Sequence, residues 1–146
     1  MIKHGVDLTQ ISRFANLGKH TDRLARKILH KTELAEFANQ TSNKEMWLAV
    51  RWAIKEAVFK AAFPTRVNFK DIELYKVDGK PSVRIHTNYL DFAENGLIGR
   101  EMHELVDSSI MASVSHDAGL VFASVIIYKI KLQTLQDQGL LNVIRL

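Results

Sequence analysis

Arg51 to Phe63 reads RWAIKEAVFKAAF, and this stretch decides the fold. It predicts a helix. Trp47, Val50, Ile54, Val58 and Ala61 recur every three or four residues and make a core-facing stripe. Arg51 and Lys55 fall roughly opposite that stripe, where charges belong. Glu56 and Lys60 do not. At about 100° per residue they fall beside Ala49, Trp52, Ala53 and Phe63. The helix is therefore apolar nearly all round, yet it carries two opposite charges four residues apart.

The neighbouring segments supply the rest of the fold. Ser42 followed by Glu45 reads as a capping box that opens this helix, which runs to about Ala62; Pro64 ends it. Upstream, IKHGVDL (residues 2–8) predicts a short strand in which Gly5 marks a close backbone approach. Residues 9–17 fit a short helix with Ile11, Phe14 and Leu17 inward. A second helix carries Leu24, Ile28 and Leu29, with Asp22 in its first turn. Thr32 is placed to cap a third, with Leu34 and Phe37 inward.

Downstream the period changes from helical to alternating. DIELYKV and PSVRIH are strands, and Asp78-Gly79 between them signals a hairpin. Residues 88–104 read as a helix and a loop. IMASVS and LVFASVIIY are strands joined by the turn HDAG. The tail from Lys131 is polar and then ends LLNVIRL, as an extra helix or as a segment packed on a neighbouring subunit. No repeat or linker is visible. The class is α+β, with helices first and then an antiparallel sheet.

Size and composition agree. The chain has 146 residues, 47% hydrophobic and 25% charged, enough for one domain with a real core. It lacks cysteine, which rules out disulfides, a thiolate nucleophile and a cysteine zinc site. No apolar run approaches the roughly 20 residues of a membrane span, so no membrane is expected. MIKHGVDL reads as too short and polar for a secretory signal. The net charge of +4 and a pI of about 9.4 favour an anionic partner mildly. Basic residues gather between Lys19 and Lys31, which alone would describe a solvated helix face.

Three groups of residues can carry chemistry. Glu56 and Lys60 are either an ordinary ion pair, worth about 0.3 kcal/mol on an exposed helix, or a site. In apolar surroundings desolvation opposes the pair. A glutamate there can ligate a cation or take a proton, and a lysine one turn on can neutralise a phosphate. Asp7 is either a helix N-cap or, with Glu56, half of an oxygen-ligand site of the kind magnesium takes. Ser113 to Asp117, SVSHD, is either a turn bonding its own backbone or a phosphate cradle of hydroxyl, imidazole and turn amides. A hydrolase reading of Ser115-His116 fails because adjacent residues seldom face one another and no G-x-S-x-G elbow exists. His4, His20, His30, His86 and His103 have no paired metal spacing and read as bystanders.

Gly5-Val6-Asp7 followed by Trp52-Ala53-Ile54-Lys55-Glu56-Ala57-Val58-Phe59-Lys60-Ala61 resembles the motifs of the 4′-phosphopantetheinyl transferases. The short length is similar to the holo-acyl-carrier-protein synthase branch. RKILHKTELAEF, NFKDIELYKVDGKPSV and SVSHDAGLVFASVI extend the resemblance over roughly residues 4 to 129. The wording of ILHKTEL and SHD is closer to fungal mitochondrial or fatty-acid-synthase-linked versions.

The resemblance implies the transferase fold, one domain over residues 1–130 with 131–146 as its extension. It implies transfer of the 4′-phosphopantetheine arm from coenzyme A to a serine of an apo acyl carrier protein, releasing 3′,5′-ADP. Asp7 and Glu56 would hold Mg²⁺, and Glu56 would act as base. Lys60 would hold the pyrophosphate. Arg51, Ser115 and His116 would lie near coenzyme A phosphates, Pro81 near the adenine, and Lys55 would belong to the same coenzyme A-binding set. Arg13, Arg23 and Lys27 would dock the carrier. A homotrimer with sites between subunits is implied, in the mitochondrial matrix of a fungal-type cell or otherwise in the cytoplasm. Residues 94–109 and the tail beyond Lys129 exceed a compact bacterial member. The rivals are a coenzyme A-binding relative or structural subunit without transferase activity, and a nucleic-acid-binding module. The key residues argue against the first. The second lacks a basic stripe with exposed aromatics, and nucleic acid is not expected as a partner.

Overall fold

A computed structural model describes residues 2–15, 17–86 and 109–129. The expected helix and loop over 88–104 and the tail from Lys131 lie outside the described residues. In chain order the elements are β1 (Ile2–Gln10), α1 (Ser12–Ala15), α2 (Thr21–Ile28), α3 (Lys31–Asn39), α4 (Lys44–Ala62), β2 (Ile72–Val77), β3 (Lys80–Ile85), β4 (Ser109–Asp117) and β5 (Leu120–Tyr128). Single 3₁₀ turns precede α2 and β2. The fold is α+β.

β1, β5 and β4 form one antiparallel sheet in that order, and β2 with β3 forms a hairpin. Both tight turns put two residues in the left-handed region that a two-residue hairpin needs. These are Asp78 and Gly79 in one, and Ala118 and Gly119 in the other. The second turn is thus narrower than HDAG. His116 and Asp117 still belong to β4, paired with Val121 and Leu120.

Helix α4 is the axis of the core. It buries Leu48, Ala49, Ala53, Ile54, Ala57, Val58, Ala61 and Ala62. Against it the sheet sets Val121, Ala123, Val125 and Ile127 of β5. Each large side chain taken from water contributes about 1.5–3 kcal/mol. Gly5 lets β1 lie directly on this helix. A Cβ there would run into the Ala57 carbonyl oxygen and come within 2.6 Å of the Ala61 nitrogen.

Strand alternation then orients all of β1. If Gly5 faces α4, so do Asp7 and Thr9, and the even residues face away. Ile2 (79% exposed), Leu8 (61%) and Met111 (59%) accordingly share an outer apolar sheet face with Val6, Phe122 and Ile126.

Several local expectations are corrected. β1 continues through Gln10, because Thr9 and Gln10 find ladder partners in Val121 and Leu120, so the helix expected over 9–17 shrinks to α1. Asp7 is therefore a mid-strand residue and caps nothing. His30, not Thr32, caps α3, and Glu33 closes the capping box onto the His30 backbone. Asn43, in the left-handed region with no side-chain cap bond, opens α4 in place of the Ser42–Glu45 box. Among the described residues no helix is long and apolar enough to cross a membrane.

Candidate active site

The contact of Gly5 with Ala57 and Ala61 brings two charged segments together. Asp7 is two residues further along the same face of β1. Lys60, one turn after Glu56 on α4, places its Nζ 2.9 Å from Asp7 Oδ1 and 3.0 Å from the Val6 carbonyl oxygen. The other Asp7 oxygen, Oδ2, accepts from the Thr9 hydroxyl at 2.6 Å. Glu56 is half-buried, and its carboxyl pKa is raised. Burial is the main cause and the nearby Asp7 charge the second, while Lys60 and Arg13 act the other way. Asp7, Glu56 and Lys60 thus meet in one corner, with Arg13 close enough to be felt there.

A second feature opens on another side of α4. A cleft of about 920 Å³ lies between the first half of α4, the end of α3, the β2–β3 hairpin and β4. Its wall includes Trp47, Arg51, Tyr75, Pro81 and His116. Three residues expected at coenzyme A, Arg51, Pro81 and His116, are brought together here. Ser115 is not. It is a strand residue opposite Phe122, so it stands on the outer sheet face while its neighbours Val114 and His116 turn to the cleft.

Arg51 is held rather than free. Its guanidinium carbon sits 3.1 Å from the Trp47 ring centroid, and Nη2 donates to Glu36 Oε2 at 2.9 Å. Burial lowers its pKa to about 10, which leaves it cationic at neutral pH.

Lys55 departs from expectation most. The sequence sets it opposite the core stripe and among the coenzyme A-binding residues, yet it is fully buried. Its Nζ donates to Glu33 Oε2 at 2.7 Å, to the Phe69 carbonyl at 2.9 Å and to the Ile72 carbonyl. All three ammonium protons are committed inside the protein, so Lys55 has none to offer a ligand. Burial lowers its pKa, and Glu33 opposes that shift. Glu33 also accepts from the His30 and Leu74 amides. This Glu33–Lys55 pair ties α3, α4 and β2 together, and sequence reasoning missed it. The available signal was spacing. Lys55 is seven residues from both Leu48 and Ala62, which are buried on the same side of α4.

On α2, Arg23 and Lys27 lie four residues apart and exposed, with Arg26 beside them. Arg13 belongs to α1 and stands against the Trp52 ring at 5.8 Å.

Residues 3–106 match the 4′-phosphopantetheinyl transferase superfamily. The holo-[acyl-carrier-protein] synthase of Mycoplasma pneumoniae is 36% identical over 84 residues, covering 56% of this chain and 71% of that one. That of Shewanella amazonensis is 34% identical over 128 residues, covering 84% of this chain and 94% of that one. The crystal structure of the Neisseria meningitidis holo-[acyl-carrier-protein] synthase superposes with a TM-score of 0.69 at 26% identity, covering 88% of this chain and all of that one. With GVD on β1 and WAIKEAVFKA on α4 meeting at Gly5 and Ala57, the chain belongs to the 4′-phosphopantetheinyl transferase superfamily, among the holo-[acyl-carrier-protein] synthases.

Proposed function

We propose that the chain transfers 4′-phosphopantetheine from coenzyme A to a serine of an apo acyl carrier protein, with Asp7, Glu56 and Lys60 as the working corner. The observation that carries this reading is their convergence from two distant segments. The donor set suits Mg²⁺, which typically takes one or two carboxylates with waters and substrate phosphates. Burial and the Asp7 charge raise the proton affinity of Glu56, and a divalent cation between the two carboxylates relieves that repulsion. Asp7 and Glu56 would hold it. When bound, it neutralises charge on the pyrophosphate.

The remaining steps belong to the chain. Lys60 pairs with the pyrophosphate through an ammonium already turned to this corner. Glu56, its basicity raised, accepts the proton of the carrier serine directly or through a water. The serine oxygen bonds to the phosphorus that carries the pantetheine arm, the pyrophosphate P–O bond breaks, and 3′,5′-ADP leaves. Positioning and neutralisation supply most of the catalysis in phosphoryl transfer.

The cleft beside Arg51, Pro81 and His116 suits the nucleotide end of coenzyme A. It faces a different way from the corner. Nine residues beyond Arg51, at about 100° per residue, Lys60 leaves α4 on the opposite side. A homotrimer resolves this by setting the cleft of one subunit against the corner of the next, and the outer apolar sheet face is the surface such an assembly would cover. Ser115, on that face, would then reach a neighbouring subunit's ligand. Arg13, Arg23 and Lys27 would meet the acidic carrier and steer it at low salt. The substrates assign the protein to the inside of the cell, in the mitochondrial matrix of a fungal-type cell or otherwise in the cytoplasm.

The test is to incubate the protein with coenzyme A, Mg²⁺ and apo acyl carrier protein and to weigh the carrier by mass spectrometry. A gain equal to one phosphopantetheine, lost in Glu56→Gln, is expected. An unmodified carrier, or equal transfer by Glu56→Gln, would overturn the assignment.

A further inference from the structure

We propose that His30, Glu73 and His86 form a second metal site, one that takes a divalent transition ion such as Zn²⁺ and fastens the start of α3 to the β2–β3 hairpin. The three come from separate elements. His30 is the N-cap of α3, Glu73 stands in β2, and His86 follows β3. One donor atom from each, all three taken together, lies within 4.8 Å of the others. His86 Nε2 is 2.6 Å from Glu73 Oε2, and His30 Nδ1 is 3.8 Å from Glu73 Oε1. The two imidazoles stack with centroids 4.3 Å apart, 4° from parallel.

The backbone beneath these groups is fixed. The His30 amide donates to Glu33 Oε2 at 2.8 Å, and the His86 amide to the Asp71 carbonyl at 2.6 Å. Glu73 is held in the hairpin ladder opposite Arg84. Thr32 touches both sides of the cluster: its hydroxyl donates to Glu73 Oε1 at 2.6 Å and lies 2.8 Å from His30 Nδ1, the contact that an ion on this nitrogen would replace along with the cap bond from the Thr32 amide. Such partners orient a ligating carboxylate. The exposed Arg84 guanidinium, 3.9 Å from Glu73, is the nearby cation that an ion must tolerate.

The donor chemistry selects the ion. Two imidazole nitrogens and one carboxylate suit Zn²⁺, Co²⁺ or Ni²⁺, whereas Mg²⁺ prefers oxygen alone. Three protein ligands leave a position for water. Donors around a tetrahedral ion with bonds near 2.1 Å sit about 3.4 Å apart and each imidazole binds in its own plane, so closure needs the donors to draw together and one ring to swing out of the parallel stack. The His86 ring, the most exposed of the three side chains, has room to provide both. Nothing here is shared with Asp7 or Glu56.

The consequence reaches the cleft. The His30 backbone shares the Glu33 carboxylate with Lys55, and Glu36 of α3 and Tyr75 of β2 line the cleft. An ion at His30, Glu73 and His86 clamps the two elements that form one of its walls.

The experiment titrates the metal-stripped full chain with Co²⁺ and Zn²⁺, reading visible absorption and melting temperature. With excess Mg²⁺ present to fill the Asp7–Glu56 corner, expected is one Co²⁺ per chain with the intense bands of four- or five-coordination, displaced by Zn²⁺, and a higher melting temperature. His86→Asn and Glu73→Gln each weaken binding at least tenfold, while Asp7→Asn leaves it intact. No saturable binding, or binding unchanged in His86→Asn, overturns the proposal and leaves a metal-free hydrogen-bonded cluster. Loss in Asp7→Asn also overturns it, by locating the ion at the other carboxylates.

Discussion

Lys60 on α4 holds Asp7 on β1 through a 2.9 Å contact between Nζ and Oδ1, across 53 residues of sequence. Half of the Lys60 side chain remains in solvent. With its cation so exposed, the pair contributes on the order of 1 kcal/mol to folding. Its position beside Glu56 therefore argues for a role in binding anions. Lys60→Ala is expected to cut carrier modification by about a hundredfold, an electrostatic loss of roughly 2.7 kcal/mol. Its urea midpoint should stay close to wild type. A large fall in that midpoint with proportional loss of activity would make Lys60 structural instead.

Glu56 yields a pH prediction with a definite sign. Its folded pKa lies above the ordinary 4.5, chiefly through burial and secondly through Asp7. A carboxyl with a raised folded pKa contributes stability that is fully present below the unfolded value and is lost as pH rises through the folded one. Removing the charge should thus help the fold at neutral pH. Glu56→Gln is expected to raise the melting temperature at pH 7 and to lose that advantage below pH 4.5. Transfer by the wild type, measured without a change in metal occupancy, should rise with pH as Glu56 ionises. A variant less stable than wild type at pH 7 would contradict this.

Lys55 and Glu33 form a buried pair, and breaking one side of such a pair strands the other charge. Lys55→Met should cost about 3 kcal/mol in urea unfolding, because Glu33 keeps its burial but loses its nearer cation, leaving Arg51 Nε at 3.5 Å. Lys55→Met with Glu33→Gln should cost clearly less than the two single changes added. Additive losses in that double-mutant cycle would mean the residues do not interact.

What the sequence disclosed, and what it hid, follows from how local the signal was. Gly5 as a close approach, Asp78-Gly79 as a hairpin turn and α4 as the long central helix each depend on a few neighbouring residues, and each stands in the structure. The side of β1 that faces the core depends on Ala57 and Ala61, far along the chain. Lys55 reads as a surface residue in the sequence because its partners come from α3 and from the segment around β2. The true stripe includes Leu48, Lys55 and Ala62, whereas Trp47 and Val50 are only half-buried. His30 and His86 looked scattered because the hairpin, not the spacing, brings them together.

Arg23 and Lys27 are exposed on α2, and Arg23 has no part in the corner or the cleft. Arg23→Glu should raise the apparent KM for the carrier at least fivefold at low salt and leave that for coenzyme A unchanged. The difference should shrink as salt rises, since exposed charges are screened beyond about 10 Å at 0.1 M. Equal changes in both KM values would place the effect on the fold or the corner.

The opposed directions of Arg51 and Lys60 on α4 permit a test of assembly that needs no structure of the complex. If each site joins the corner of one subunit to the cleft of the next, neither a corner variant nor a cleft variant works alone, yet a mixture can. Lys60→Ala supplies an intact cleft, and His116→Ala with Pro81→Gly supplies an intact corner. Unfolded together in equal amounts and refolded, they should form mixed trimers in which about one site in four has both halves intact. Recovery to about a quarter of the wild-type rate is expected, with none when the two are mixed after assembly. Leu8→Asp, which sets a charge on the outer sheet face, should prevent both assembly and recovery, as sedimentation would record. A mixture no more active than its components, despite verified mixed trimers, would put corner and cleft in the same subunit.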